Sequence, residues 1–216
     1  MKKKFIIAII AHRGYNKLYP ENTLLAFQKA IEAQADYVEL DVHLTKDNEI
    51  VVCHDYSTKR TGGGVDYLIA QTDLQTLKTV DMGQGERIPT LREVFELCKG
   101  KIGVQVEIKV HGVAQKLLEL ITEFKMEEDV LISSFQHEEI AAFKQIAPNI
   151  PAATLEPTKS SPLKAAFSRG ILVKNAQSVK ADGIHPFTKF VNAKLCKKAH
   201  DRSEEHTSEL QSRQVI

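Results

Sequence analysis

Three short strings in this sequence bring together residues that can do chemistry. Ala11-His12-Arg13-Gly14 sets a titratable imidazole beside a guanidinium, whose planar fork suits a phosphate. Glu39-x-Asp41 places two carboxylates at i and i+2, which on a strand point to the same face. Two carboxylates held together repel unless a proton or a cation lies between them. A hard divalent cation with oxygen ligands, Mg2+ or Ca2+, is the natural occupant. Glu107-x-Lys109 repeats the spacing and adds a third carboxylate and a cation. His54-Asp55, directly after Ile50-Val51-Val52-Cys53, supplies a second imidazole.

Each string also has a plainer reading. A histidine after a strand is commonly a loop residue, and Glu39 with Asp41 could form the solvated face of an edge strand. Glu107 and Lys109 could be a surface pair of small energetic weight. What favours chemistry is recurrence at corresponding ends of successive strands. His43 shares parity with Glu39 and Asp41, and could line the same rim or only extend its strand. His185 ends a strand and is a candidate for the pocket wall, whereas His111, His137 and His200 receive no role. Gly62-Gly63-Gly64 lacks the spacing and context of a phosphate-binding loop.

The elements that must position these groups follow from periodicity. Residues 5–11 are a continuous apolar strand, and Asn22 or Thr23 can cap a helix carrying Leu24, Phe27, Ala30 and Ile31. Strands over 37–44 and 50–53 are joined too closely for a helical crossover, so they form a hairpin or an irregular arch. Residues 55–89 hold no long periodic segment. Thr90-x-x-Glu93 is a capping box opening a helix over 91–98. Strands then follow over 102–109, 130–134, 152–155 and 181–185, with helices over 113–125, 137–146, 162–168 and about 188–200. Such alternation implies a parallel sheet faced by helices. Polar residues at the strand ends favour a (β/α) barrel with its chemistry at the C-terminal rim.

Composition excludes several alternatives. The 216 residues are 43% hydrophobic and 26% charged, the balance of a folded domain. Lys plus Arg is 29 against 28 for Asp plus Glu, so nothing argues for a nucleic-acid partner. Three widely spaced cysteines form neither a disulfide framework nor a zinc site and suit a reducing compartment. The apolar run after Met1-Lys2-Lys3-Lys4 leads into His12-Arg13-Gly14 without a cleavage site, and no stretch is long enough for membrane insertion. The expectation is a cytoplasmic protein; its oligomeric state is open.

In order, AHRG (11–14), PENT (20–23), ELDVHLTKD (39–47), VVCHD (51–55), IPTL (88–91) and EIK (107–109) resemble the glycerophosphodiester phosphodiesterases. ISSF (132–135) and ADGIHP (181–186) are compatible with that family. The resemblance implies an α/β fold, a distorted (β/α)8 TIM-type barrel, with residues 55–89 a small insertion after the third strand. It further implies that Glu39, Asp41 and Glu107 bind one divalent cation. His12 and His54 become the catalytic acid/base pair, and Arg13 and Lys109 bind the substrate phosphate. The implied reaction is hydrolysis of a small glycerophosphodiester to glycerol 3-phosphate and an alcohol. In the family's usual route the substrate's own glycerol hydroxyl attacks, giving a cyclic phosphate that water opens. A lysophospholipase D or sphingomyelinase D-like activity, or an inactive fragment, are the alternatives.

The resemblance ends near residue 201. Residues 202–216 lack a strand pattern and look like the in-frame translation of a sequencing-library adapter, so they are expected to be a non-biological tail. A barrel of this class has about 250 residues. The expectation for 1–201 is therefore an incomplete barrel lacking its last β/α unit, with unpaired edges on its first and penultimate strands and poor stability.

Overall fold

The computed structural model of the chain describes residues 7–158, 170–203 and 211–214. The strands are β1 (Ile7–His12), β2 (Tyr37–Leu44), β3 (Ile50–Val52), β4 (Gly103–Ile108), β5 (Val130–Ser134), β6 (Ala152–Glu156), β7 (Gly183–Pro186) and β8 (Gln211–Gln214). The helices are α1 (Leu24–Glu32), α2 (Leu74–Leu77), α3 (Leu91–Cys98), α4 (Ala114–Phe124), α5 (His137–Ile146), α6 (Gly170–Ser178) and α7 (Ala193–Ser203). The sheet runs β7-β6-β5-β4-β2-β1-β8, all parallel, and β3 pairs antiparallel with β2 as a hairpin. Among the described residues its end strands β7 and β8 do not pair with each other. The fold is thus a curled, open version of a (β/α)8 barrel.

Alternation along the strands separates two faces. Val38, Leu40 and Val42 of β2, with Val104, Val106 and Ile108 of β4, join Phe27, Phe95, Leu117, Ile121 and Phe143 of the helices in the main core. Burying each such side chain contributes about 1.5–3 kcal/mol, so this outer face holds the sheet and the helices together. The intervening residues are polar and face inward. Gln105 Nε2, for example, donates to Ser133 Oγ at 3.1 Å and lies 3.3 Å from His185 Nδ1. Thr23, not Asn22, caps α1, its hydroxyl accepting from the Ala26 N–H. Residues 55–89 contain a 3-10 turn at Ile69–Gln71 and α2. They cover a smaller core of Ile69, Leu77, Val80, Met82 and Ile88 against Val51 and Cys53.

The second half departs from the periodicity reading. The expected helix over 162–168 lies outside the described residues. α6 is not among the expected elements. Its buried residues Leu172, Val173 and Ala176 form a helical stripe, and Leu172 and Val173 meet Leu195 of α7 in a separate small core. α7 starts at Ala193 rather than 188, because Thr188–Phe190 is a 3-10 turn and the Asn192 side chain accepts the Leu195 N–H. The expected open edge of β1 is also corrected. Gln211–Gln214, in a segment read as having no strand, pairs with Ile7–Ile10. A strand edge offers backbone donors and acceptors whatever the partner's side chains, so an apolar pattern is not required.

Candidate active site

Register in the sheet assembles the site. β1, β2 and β4 are parallel neighbours, with His12 opposite Glu39 and Asp41 opposite Glu107. Parity therefore puts Glu39, Asp41 and Glu107 on one inward face, where one oxygen from each lies within 4.8 Å of the others. All three are buried, which removes the solvated-edge reading of β2 and the surface-pair reading of Glu107. The turn after β1 brings in Arg13. Gly14 (φ +76°) has no room for a side chain, since a Cβ there would lie 2.7 Å from the Ala26 carbonyl carbon. Arg13 itself is left-handed (φ 56°), and its backbone N–H donates to Glu39 Oε2 at 3.0 Å.

Two cations enter this carboxylate cluster. Lys109 Nζ lies 2.9 Å from Asp41 Oδ1 and 2.5 Å from Glu107 Oε1. Arg13 Nε is 3.5 Å from Asp41 Oδ2, which also accepts from Asn22 Nδ2 at 2.8 Å. The electrostatics are consequently uneven. Burial, then the neighbouring Asp41 and Glu107, push the Glu39 carboxyl well up. Burial also raises Glu107 to about 7, although Lys109 opposes it. Burial would raise Asp41 too, but Lys109, Asn22 and Arg13 outweigh it and hold the carboxyl down. Burial disfavours the Lys109 ammonium, yet Asp41 and Glu107 raise its pKa. Three buried hard oxygen donors, two of them carboxyls raised by burial first and by like-charge crowding second, fit a divalent cation.

The imidazoles take different places. His12 Nε2 is 3.9 Å from Glu39 Oε2, and burial followed by the Arg13 charge lowers its pKa. His54 follows the hairpin strand, where the Cys53 N–H donates to the Asp41 carbonyl at 2.9 Å. Its Nδ1 lies 2.6 Å from Asp55 Oδ1. His43 supports His54 from behind: its buried Nε2 is 3.3 Å from the His54 carbonyl, and its ring meets Tyr56 edge-on. His185 lies against Gln105, and burial lowers its pKa to about 4. His111 and His137 contact Glu139 and Glu156 respectively.

Sequence reading missed three contributors. Asn22 was weighed only as a helix cap, and it instead holds Asp41 from a left-handed backbone (φ 56°). Glu21 bonds Arg13 Nη1 at 3.0 Å, and Arg60 bonds both Glu21 and Asp55. No local spacing reveals the 39-residue separation between Glu21 and Arg60. Glu21 and Asn22 both sit within the PENT string.

Comparison with known proteins identifies the family. A glycerophosphodiester phosphodiesterase of Caldanaerobacter subterraneus subsp. tengcongensis is 43% identical over 160 residues, covering 68% of this chain and 65% of that protein. The chain thus spans less than two thirds of that relative's length. A glycerophosphodiester phosphodiesterase structure from Thermotoga maritima superposes with a TM-score of 0.76 at 29% identity, covering 94% of this chain and 83% of that one. A phosphodiesterase of Oleispira antarctica, in complex with the product sn-glycerol-3-phosphate, gives 0.77 at 25% identity over 96% and 84%. No helix among the described residues is long and apolar enough to cross a membrane. The sequence model of the glycerophosphoryl diester phosphodiesterase family matches residues 12–203, and the chain belongs to that family.

Proposed function

We propose that this chain hydrolyses glycerophosphodiesters to glycerol 3-phosphate and an alcohol. The observation that carries this reading is the convergence of Glu39, Asp41 and Glu107 within 4.8 Å, beside two cations. Those three carboxylates would hold Mg2+ or Ca2+, which when bound supplies positive charge to the phosphoryl oxygens. Arg13 and Lys109 bind the remaining oxygens and neutralise charge as it develops. His12 and His54 form the acid/base pair: one takes the proton of the attacking hydroxyl and the other protonates the leaving alkoxide. The Oleispira relative's product supports the choice of glycerol 3-phosphate.

The test is release of glycerol 3-phosphate from glycerophosphocholine, with Mg2+, Ca2+ or chelator. His12→Ala should lower turnover by about 10²–10⁴-fold, the usual contribution of acid/base catalysis. Calorimetric titration should show one divalent cation bound to the wild type and weakened binding in Glu39→Gln. Normal turnover in His12→Ala would overturn the site assignment. A rat lysophospholipase D is 32% identical over 58% of this chain, so lysophosphatidylcholine is the comparison substrate. Preference for it would transfer the chain to that activity, and inactivity on both would make it a non-catalytic fragment.

A further inference from the structure

Resting on the reading that His54 and Arg13 act on the phosphodiester, we propose that Arg60 is a positioning residue, whose one guanidinium fixes Asp55 and Glu21 and through them the His54 ring and the Arg13 fork. Arg60 lies in the segment after β3, outside the strands that carry the carboxylates. Its Nε donates to Asp55 Oδ2 at 2.6 Å, Nη1 to Glu21 Oε2 at 2.9 Å and Nη2 to Glu21 Oε1 at 2.7 Å. Each partner carries a second bond to a site residue. Asp55 Oδ1 lies 2.6 Å from His54 Nδ1, and Glu21 Oε1 accepts from Arg13 Nη1 at 3.0 Å.

The chemistry of each arm is specific. A carboxylate only accepts, so Asp55 requires the proton on His54 Nδ1 and leaves Nε2 free to take one. Arg60 occupies the other Asp55 oxygen, which stops the carboxylate from turning away. On the second arm, Glu21 lies between the two guanidinium groups and offsets their repulsion, so Arg13 holds a fixed orientation beside Asp41. An ordinary surface ion pair is worth little, and the Arg60 side chain is 49% exposed. Arg60 differs because three donors of one planar group are spent on two carboxylates that each hold a site residue. Its turn is also closed: buried Thr58 donates to the Val65 carbonyl at 2.5 Å and accepts from the Tyr67 N–H at 3.0 Å. Lysine has no such fork.

The experiment uses the full chain with Arg60→Gln, Arg60→Lys, Asp55→Asn and the R60Q/D55N double variant. It follows glycerophosphocholine kinetics, thermal unfolding, and ¹⁵N shifts of the His54 ring. In R60Q, kcat should fall about tenfold, a usual cost of losing an outer-shell partner, and KM should rise as Arg13 loosens. R60K should recover little of either. The double variant should match D55N in its His54 tautomer, because Arg60 acts on His54 only through Asp55, and should exceed D55N in KM because the Arg13 arm is lost as well. The Nδ1-protonated form of His54 should dominate in wild type and lose population in R60Q. An R60Q protein of unchanged stability with wild-type kcat, KM and His54 tautomer overturns the proposal, as does a His54 tautomer shift in the double variant beyond that of D55N. A wild type that does not hydrolyse the substrate refutes the function instead. The tautomer comparison then still decides whether Arg60 positions His54.

Discussion

Buried carboxylates sit on both faces of the curled sheet, and the two groups are balanced differently. On the inner face, Glu39, Asp41 and Glu107 crowd together with only Arg13 and Lys109 to offset them. On the outer face, Glu156 ends β6 one residue after Leu155, the partner of inward-facing His185. It accepts from Asn175 Nδ2 at 2.9 Å and lies 3.5 Å from His137 Nε2. Burial raises Glu156 while Asn175 and His137 oppose the shift. The outer carboxylate thus has only donors and no like charge among its local partners, although burial still leaves its pKa raised. In the inner group three carboxylates share two cations, an excess of like charge that costs stability until a further cation joins it. The inner group could hold a metal ion, whereas the outer carboxylate ties α5 and α6 to the sheet.

The largest effect expected from this contrast is on rate. Glu39→Gln should lower hydrolysis by ~10²–10³-fold, comparable to removal of one element of transition-state charge stabilisation. In chelator, the same substitution should raise the melting temperature, because it removes a buried like charge. Paired rate and melting measurements check this. A variant that loses both activity and metal-free stability would make the inner cluster an ordinary structural one.

The metal-free protein should also show an unusual pH dependence. A carboxyl with a raised folded pKa binds its proton more tightly in the folded state than in the unfolded one. Its contribution to stability is present at low pH and is lost as pH rises through the folded value. Glu107, raised from 4.5 to about 7, carries this sign, and so does Glu39. For Glu107 alone the shift corresponds to about 3 kcal/mol. Asp41, which is lowered, acts in the opposite direction. Melting in chelator should therefore fall between pH 5 and 7, and added Mg2+ or Ca2+ should flatten the curve. A metal-free stability that rises across that window would break the contrast.

The outer face gives the complementary case. His137→Ala leaves the Glu156 carboxylate with one partner fewer, at a cost of about 2 kcal/mol, or about 4–8 °C for a chain of this size. It should leave kcat/KM unchanged and be indifferent to metal. A rate loss without a stability loss would move Glu156 from scaffold to site.

The same division explains what the sequence disclosed. Glu39, Asp41, Glu107 and Lys109 were legible because i, i+2 spacing on a strand fixes a shared face before any tertiary contact is known. The α1 and α3 positions were legible because their caps are local. α6 was not, since its helical stripe is recognisable only once Leu195 supplies the surface it buries against. Asn22 was ambiguous because one residue type serves as cap, turn-former and carboxylate partner. The pairing of Arg60 with Glu21 was invisible, although Glu21 lies in the PENT string, because ion pairs between loops leave no period. The pairing of Gln211–Gln214 with β1 was equally hidden, because it uses backbone groups common to every sequence.

The smallest expected effect lies at the α3 cap, and it tests how far the outer layer is uncoupled from the chemistry. Thr90 and Glu93 form a reciprocal capping box, and Thr90 bridges to Val51 of β3. The Pro89 carbonyl accepts the Val52 N–H at 2.8 Å, so this cap adjoins the strand that leads to His54. Thr90→Ala should cost about 1 kcal/mol, the usual loss for an N-cap, equally with and without metal. The main-chain bond to Val52 survives that substitution, so the path of β3 and the place of His54 should survive too. Unfolding and kcat measured on the same preparation separate the two outcomes. A modest stability loss at unchanged kcat assigns α3 to support alone. A kcat loss exceeding the fraction unfolded would mean that His54 is placed by the outer layer as well as by its own inner contacts.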